Sequence, residues 1–164
     1  MDGLRQEPAG GPGQIRPGRS ARVLLIDPSG RVLLQKAASG HWYTPGGRLD
    51  PDESLTAGAA REIREETGLV LPETAFSGVL LERYVRFTLA DGREYEADEC
   101  YVAAHVMAFT PDESGLEPGE ELLIAEQRWW TVEEIRTAAV PVWPEQLADL
   151  LADLAVRPAP APGG

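Results

Sequence analysis

Glu62, Glu65 and Glu66 are the residues whose types and spacing most directly imply chemistry. On a helix, positions three and four apart share a face, so these carboxylates project into one small region. Like charges packed together cost stability unless a cation sits among them. A hard divalent cation with oxygen ligands is the natural occupant. The plainer alternative is a solvated acidic face paired with Arg61 and Arg64. The surrounding stretch, Gly47 to Leu69, adds Asp50, Asp52 and Glu53 to these three acids.

Several elements must position these side chains. A helix is expected from Glu53–Ser54 to Gly68, the glycine serving as C-terminal cap. Its apolar face is Leu55, Ala59 and Ile63, continued by Thr67. That face should dock on a sheet and leave the glutamates outward or in a cleft. Gly58 costs a mid-helix position about 1 kcal/mol against Ala, which suits close packing there. Upstream, Pro45-Gly46-Gly47 reads as a plain turn or as backbone that can approach a ligand closely.

Ser20–Ile26 and Arg31–Lys36 are β-branched and Leu-rich runs joined by Asp27-Pro28-Ser29-Gly30, a hairpin signal. His41–Thr44 is a short aromatic strand-like run. Val79–Leu89 and Glu94–Phe109 are long strand-like runs with Asp91-Gly92 between them. A two-residue turn there would set Arg86 opposite Ala97, Tyr84 opposite Glu99 and Arg83 opposite Cys100. Arg83 and Arg86 then lie on alternate faces, each a phosphate or base contact or a cross-strand partner. Gln127–Thr131 is a strand in which Trp129 and Trp130 alternate, one in the core and the other free to stack on a base. Thr131 with Glu134 forms a capping box for a helix over Val132–Ala138. Val140–Trp143 leads to a last helix, Pro144–Ala155, striped by Leu147, Leu150, Leu151 and Leu154. His105, in an apolar run, reads as a core histidine.

The 164 residues favour one domain, and 43% apolar content supports a real core. A disordered arm is expected over 1–18, the domain over 19–156 and a Pro/Ala/Gly tail over 157–164. The net charge of −12 argues against a nucleic acid polymer or an anionic membrane as partner. No apolar run is long enough to span a bilayer, and no signal pattern opens the chain, so a cytoplasmic protein is expected. Cys100, the single cysteine, reads as a buried structural thiol. The N-terminal strand region and the last helix are the candidate surfaces for a homodimer.

The register around the glutamates carries a family resemblance. Gly47, five residues, Glu53, seven residues, Arg61-Glu62-Ile63, one residue, Glu65-Glu66, one residue, Gly68-Leu69 resembles the Nudix box at every defined position. Chance agreement is of order one in a hundred million per start site, taking each residue type near 7%. The order of strands, PGG turn, box helix, hairpin, acidic loop and Trp-containing strand is similar too, over most of Arg19–Ala155.

The resemblance implies an α/β fold, the Nudix-type α/β/α sandwich with a central mixed β-sheet. It implies Mg²⁺- or Mn²⁺-dependent hydrolysis of a nucleoside diphosphate linked to another moiety. Carried over by motif position, Glu65 and Glu66 are the main metal ligands, completed by Glu62, with Gly46 and Gly47 backbone beside them and Gly47 as a further ligand. Arg61 pairs with Glu53 and orients the catalytic turn. Trp42, with His41, falls where the family often lines its substrate pocket, and Arg86 is the candidate substrate arginine. The general base is a box glutamate or an acid of the later loop: Glu121 first, Glu126 second, with Glu117 and Glu120 in the same region. Two other uses remain open: a catalytically silent nucleotide-binding or regulatory module, and an isopentenyl-diphosphate-isomerase-like enzyme built on Cys100.

Overall fold

The computed structural model describes residues 18–88, 92–116, 124–157 and 159–161. The strands are β1 (Gly18–Ile26), β2 (Val32–Ala37), β3 (Trp42–Tyr43), β4 (Gly46–Arg48), β5 (Leu81–Thr88), β6 (Glu94–His105), β7 (Ile124–Trp130) and β8 (Val142–Trp143). The α-helices are α1 (Leu55–Thr67), α2 (Val132–Arg136) and α3 (Leu147–Val156), with a single 3₁₀ turn at Glu73–Ala75. One mixed sheet runs β5-β6-β1-β2-β3-β8, with β4 added on β1 and β7 on β2. β1–β6 and β3–β8 are parallel, and the other pairs are antiparallel.

Alternation along β1 sends Ala21, Val23 and Leu25 to one face and Leu24 and Ile26 to the other. On the first face, α1 buries Ala59 and Ile63 against Val23, Leu33 and Val102. On the second, α3 buries Leu147 and Leu151 beside Trp42, Tyr101 and Trp130. The result is an α/β/α sandwich. The leucine stripe of α3 is therefore occupied within the chain.

The β1–β2 connection is built on Asp27. Its Oδ1 accepts from the backbone N–H groups of Ser29 and Arg31 at 3.0 and 2.8 Å, and its Oδ2 from Arg31 Nε at 2.7 Å. The hairpin is short-lived: β1 and β2 pair at Ile26–Val32 and then diverge. Beyond that point β1 belongs to β6 and β4, and β2 to β7 and β3.

Several details differ from expectation. The β5–β6 register is shifted by one residue: Arg83 faces Glu99, Tyr84 faces Asp98 and Arg86 faces Glu96. The last pair among the described residues is Thr88–Glu94, and Asp91 of the expected turn lies outside them. A slip of one residue turns every side chain to the other face. The observed register puts Arg83 Nε 2.8 Å from Glu99 Oε2, where the expected one opposed it to a thiol. Pro45-Gly46-Gly47 is not simply a turn: Gly46–Arg48 forms β4 against β1. His105 is exposed at the end of β6, past the edge of the core. α3 begins at Leu147, with Gln146 rather than a residue ahead of Pro144 at its start. Cys100 is buried, with Arg19 Nη2 3.5 Å from its sulfur. Residues of the expected tail lie beside Gly78, whose N–H donates to Pro160 O at 2.8 Å. The expected arm over 1–18 lies outside the described residues except for Gly18, which opens β1.

Candidate active site

α1 is bounded as its sequence dictates. The Ser54 side chain accepts from Ala57 N, and Gly68 closes the helix at φ 78° with its N–H on Arg64 O. Ala59 and Ile63 must face the sheet, and Glu62 and Glu66, each three positions after one of them, turn in with them. Both are buried, and Glu65 is half-buried. The glutamates thus line a crevice between α1 and the β4 segment rather than a solvated face. Gly58 explains how the preceding loop fits: a Cβ there would lie 2.1 Å from Leu49 Cδ2 and 2.9 Å from Glu53 Oε1.

Arg61 is the hub on the outer side. Its Nε and Nη2 donate to the two Glu53 oxygens, each at 2.8 Å, in a bidentate pair. Nη1 donates to Glu62 Oε1 at 2.9 Å and to Glu65 Oε2 at 3.3 Å, and Nη2 also reaches Arg48 O at 3.0 Å. The hydrogen bonds from Arg61 pull the Glu53 carboxyl down to about 2, against burial. In turn Glu53, then Glu62, hold the Arg61 guanidinium above its ordinary value.

Glu66 forms the inner side. Its Oε2 accepts from Gly46 N at 2.9 Å and from Gln35 Nε2 at 3.1 Å. Burial, followed by the charge of Glu62, pushes its carboxyl up to about 8. Gln127 Nε2 donates to the Glu66 backbone carbonyl at 2.8 Å and to Glu113 Oε1 at 3.2 Å. Gln35 and Gln127 are cross-strand partners of β2 and β7.

Both glycines are required by contact, and Gly46 by conformation as well. Gly46 sits at φ 138°, and a Cβ there would be 2.0 Å from Ala21 O. On Gly47 it would lie 2.6 Å from Glu62 Oε1. Gly46→Ala is therefore expected to destabilise the fold by roughly 2 kcal/mol or more, from backbone strain plus the clash. Urea unfolding checks this; an unchanged midpoint would contradict it.

Among the described residues, no three carboxylate, imidazole or thiolate groups gather closely enough to enclose an ion. Arg61 Nη1 bridges Glu62 and Glu65, while Glu66 is engaged by Gly46 and Gln35. The donor set still fits a hard divalent cation. It consists of oxygens, Glu66 is raised by burial and then by the charge of Glu62, and Gly47 leaves the space over Glu62 free of a side chain.

Other expected site residues are elsewhere. Trp42 is buried in the α3-side core, its ring 5.0 Å from that of Trp130, so it packs rather than lines a pocket. Arg86 is exposed on β5, with Nε 3.5 Å from Glu94 Oε2, and is not brought to the glutamates. His41 Nδ1 is 2.6 Å from Ser39 Oγ. Trp129 is half-buried; its Nε1 donates to Phe109 O and its ring meets Phe109 edge-on. Glu126 is exposed opposite Lys36. Its neighbour Gln127 faces α1, so alternation turns Glu126 to the other side of the sheet. Glu117, Glu120 and Glu121 lie outside the described residues.

Four residues enter the site that the motif does not name: Arg22, Gln35, Gln127 and Glu113. The first two carried a signal, a charge inside SARVLLI and an amide inside VLLQKA. A polar side chain there needs a buried partner.

A mixed sheet between helices, with a glutamate helix tucked under a Gly-Gly strand, defines a class of fold and site. The NUDIX domain family model matches residues 16–154, and the chain belongs to this family. It is 52% identical over 65 residues to the m7GpppN-mRNA hydrolase NUDT17 of Bos taurus, covering 36% of this chain and 22% of that protein. It is 36% identical over 109 residues to an isopentenyl-diphosphate Delta-isomerase of Streptomyces griseus, covering 62% and 53%. The chain thus spans about a fifth to a half of the length of these curated relatives. The crystal structure of a MutT protein from Methanosarcina mazei superposes with a TM-score of 0.61 at 24% identity, covering 87% of this chain and 97% of that one.

Proposed function

We propose that the protein is a Mg²⁺- or Mn²⁺-dependent hydrolase that cleaves the diphosphate linkage of a nucleoside diphosphate joined to another moiety. The observation that carries this reading is the Glu62–Glu66 pair, buried beneath the Gly46–Gly47 backbone with Arg61 and Glu65 at its rim. A bound divalent ion would neutralise phosphate oxygens and lower the pKa of a water. Glu62, Glu65 and Glu66 would hold it, with the Gly47 backbone beside them. Among the similar proteins is one named an m7GpppN-mRNA hydrolase, which supports a nucleotide-type phosphoanhydride as substrate.

The rest of the work belongs to this chain's own groups. Arg61, fixed by its fork on Glu53, holds Glu62 and Glu65 in place. Gly46 N–H and Gln35 orient Glu66. A single acid, Glu121 of the later loop or a box glutamate, would accept the proton of the attacking water. Cys100 is buried in β6, and no observation brings it to the glutamate site, so the glutamates rather than the thiol carry the reading.

The test is a panel of nucleoside diphosphate derivatives, with isopentenyl diphosphate added as the isomerase substrate. Phosphate or coupled phosphate release that requires Mg²⁺ or Mn²⁺ and stops with chelator is expected for at least one nucleotide. A folded protein inert across the panel would favour the silent, nucleotide-binding use of the fold.

A further inference from the structure

Arg22 is a charged residue at the centre of β1, directly ahead of the apolar run Val23–Ile26, and its side chain is only 15% exposed. The guanidinium is spent on two acceptors. Nη1 donates to Gly46 O at 3.2 Å, and Nε donates to Glu99 Oε1 at 3.2 Å. Glu99 is itself buried and pinned, accepting from Arg83 Nε and Tyr101 Oη, each at 2.8 Å. Arg22 is thus clamped at one end and grips the site backbone with the other.

We infer that Arg22 is a positioning residue for the glutamate site: it holds the Gly46 carbonyl and thereby fixes how the Gly46–Gly47 backbone meets Glu66 and Glu62. The inference rests on the hydrolase reading above and extends it to a residue outside the box. Gly46 stands at φ 138°, where it has no side chain to anchor it. Its neighbours fix one flank, since Val23 N donates to Pro45 O at 2.9 Å. The Gly46 N–H goes to Glu66, and the Gly46 carbonyl goes to Arg22. Rotation of the 46–47 peptide would swing Gly47 relative to the Glu62 carboxylate, against which it packs without room for a methyl group. The forked guanidinium suits the task because it serves two acceptors in fixed relative geometry, which an ammonium does not. Arg22 acts through the Gly46 peptide and needs no contact with substrate.

The test compares wild type with Arg22→Met, Arg22→Lys and Glu99→Gln. Three readouts are taken: Mn²⁺ binding by electron paramagnetic resonance, backbone amide exchange of metal-free protein, and steady-state kinetics on the panel member that wild type turns over. Arg22→Met should weaken Mn²⁺ binding about tenfold or more, as loss of an outer-shell support does. Exchange at Gly46 and Gly47 should accelerate while the rest of the sheet stays protected. The fall should appear in kcat, with KM changed less than about threefold, and Arg22→Lys should recover part of it. Glu99→Gln loosens the clamp and should show the same pattern in milder form. It carries the test if Arg22→Met does not fold. Folded variants with wild-type Mn²⁺ affinity and Gly46–Gly47 exchange would overturn the inference. So would a rise in KM alone, which would make Arg22 a substrate contact. A wild type that binds no Mn²⁺ and turns over nothing would overturn the hydrolase reading and this inference together. An active wild type beside unaffected variants would overturn this inference alone.

Discussion

Glu66→Gln is expected to lower kcat by roughly 10²–10³-fold or more, the scale of losing one preorganised electrostatic group at a reacting centre. The same substitution should leave metal-free protein as stable as wild type at pH 8, or more stable. The reason is local. Glu66 is buried beside Glu62 and its carboxyl is pushed up to about 8, so its charge is costly where it sits. A glutamine of the same shape keeps an acceptor for Gly46 N–H and carries no charge. The same oxygen can still accept from Gln35 Nε2. Function and stability are therefore expected to move in opposite directions. Steady-state kinetics beside thermal melting of the chelated protein measure both. A variant that loses activity because it melts earlier would contradict this explanation.

The second large effect is a coupling between pH, stability and metal. Glu66 has a folded value of about 8 against an ordinary 4.5, so the folded state binds this proton more tightly than the unfolded one. Its contribution to stability is fully present below about 4.5 and is lost as pH rises through about 8. Glu53 is held at about 2 and keeps its charge across this window, so it does not offset the trend. Metal-free wild type should therefore lose stability from pH 5 to 8, and Glu66→Gln should lose less. A divalent ion must displace the Glu66 proton, so Mn²⁺ affinity should rise with pH, by up to about tenfold per unit, and level off above about 8. Calorimetric titration at several pH values in buffers of different ionisation enthalpy counts the released proton. Affinity independent of pH over this range would contradict the assignment of Glu66 as a ligand.

The site was legible in the sequence to the extent that it is local. Ser54, Gly68 and the Ala59–Ile63 spacing defined α1, and helical geometry then grouped the glutamates. The Glu53–Arg61 pairing spans the Ser54 cap and about two helical turns, and a motif can encode that. What stayed hidden depends on which strands lie side by side. Arg22 reaches Gly46 because β4 lies on β1, and Gln35 reaches Glu66 because β2 passes beneath α1. In the sequence each was only a polar residue in an apolar run. The β5–β6 register follows its cross-strand partners rather than the Asp91-Gly92 turn signal. The chain pairs Arg83 with the buried Glu99 and leaves Arg86 to Glu94 at the rim. Trp42 and His105 were misplaced for a related reason. Alternation gives the face of a residue but not where along the strand the core stops. Trp42 sits under α3, while His105, on the Tyr101 face, lies beyond the packed region.

Wild type and the Glu65→Gln/Glu66→Gln double variant, both confirmed as folded, should be assayed side by side on the nucleotide panel with saturating Mg²⁺. Turnover by wild type that falls to the chelated background in the double variant is the expected result. Turnover that survives both substitutions would mean that the buried glutamate site of α1 is not where the diphosphate is cleaved.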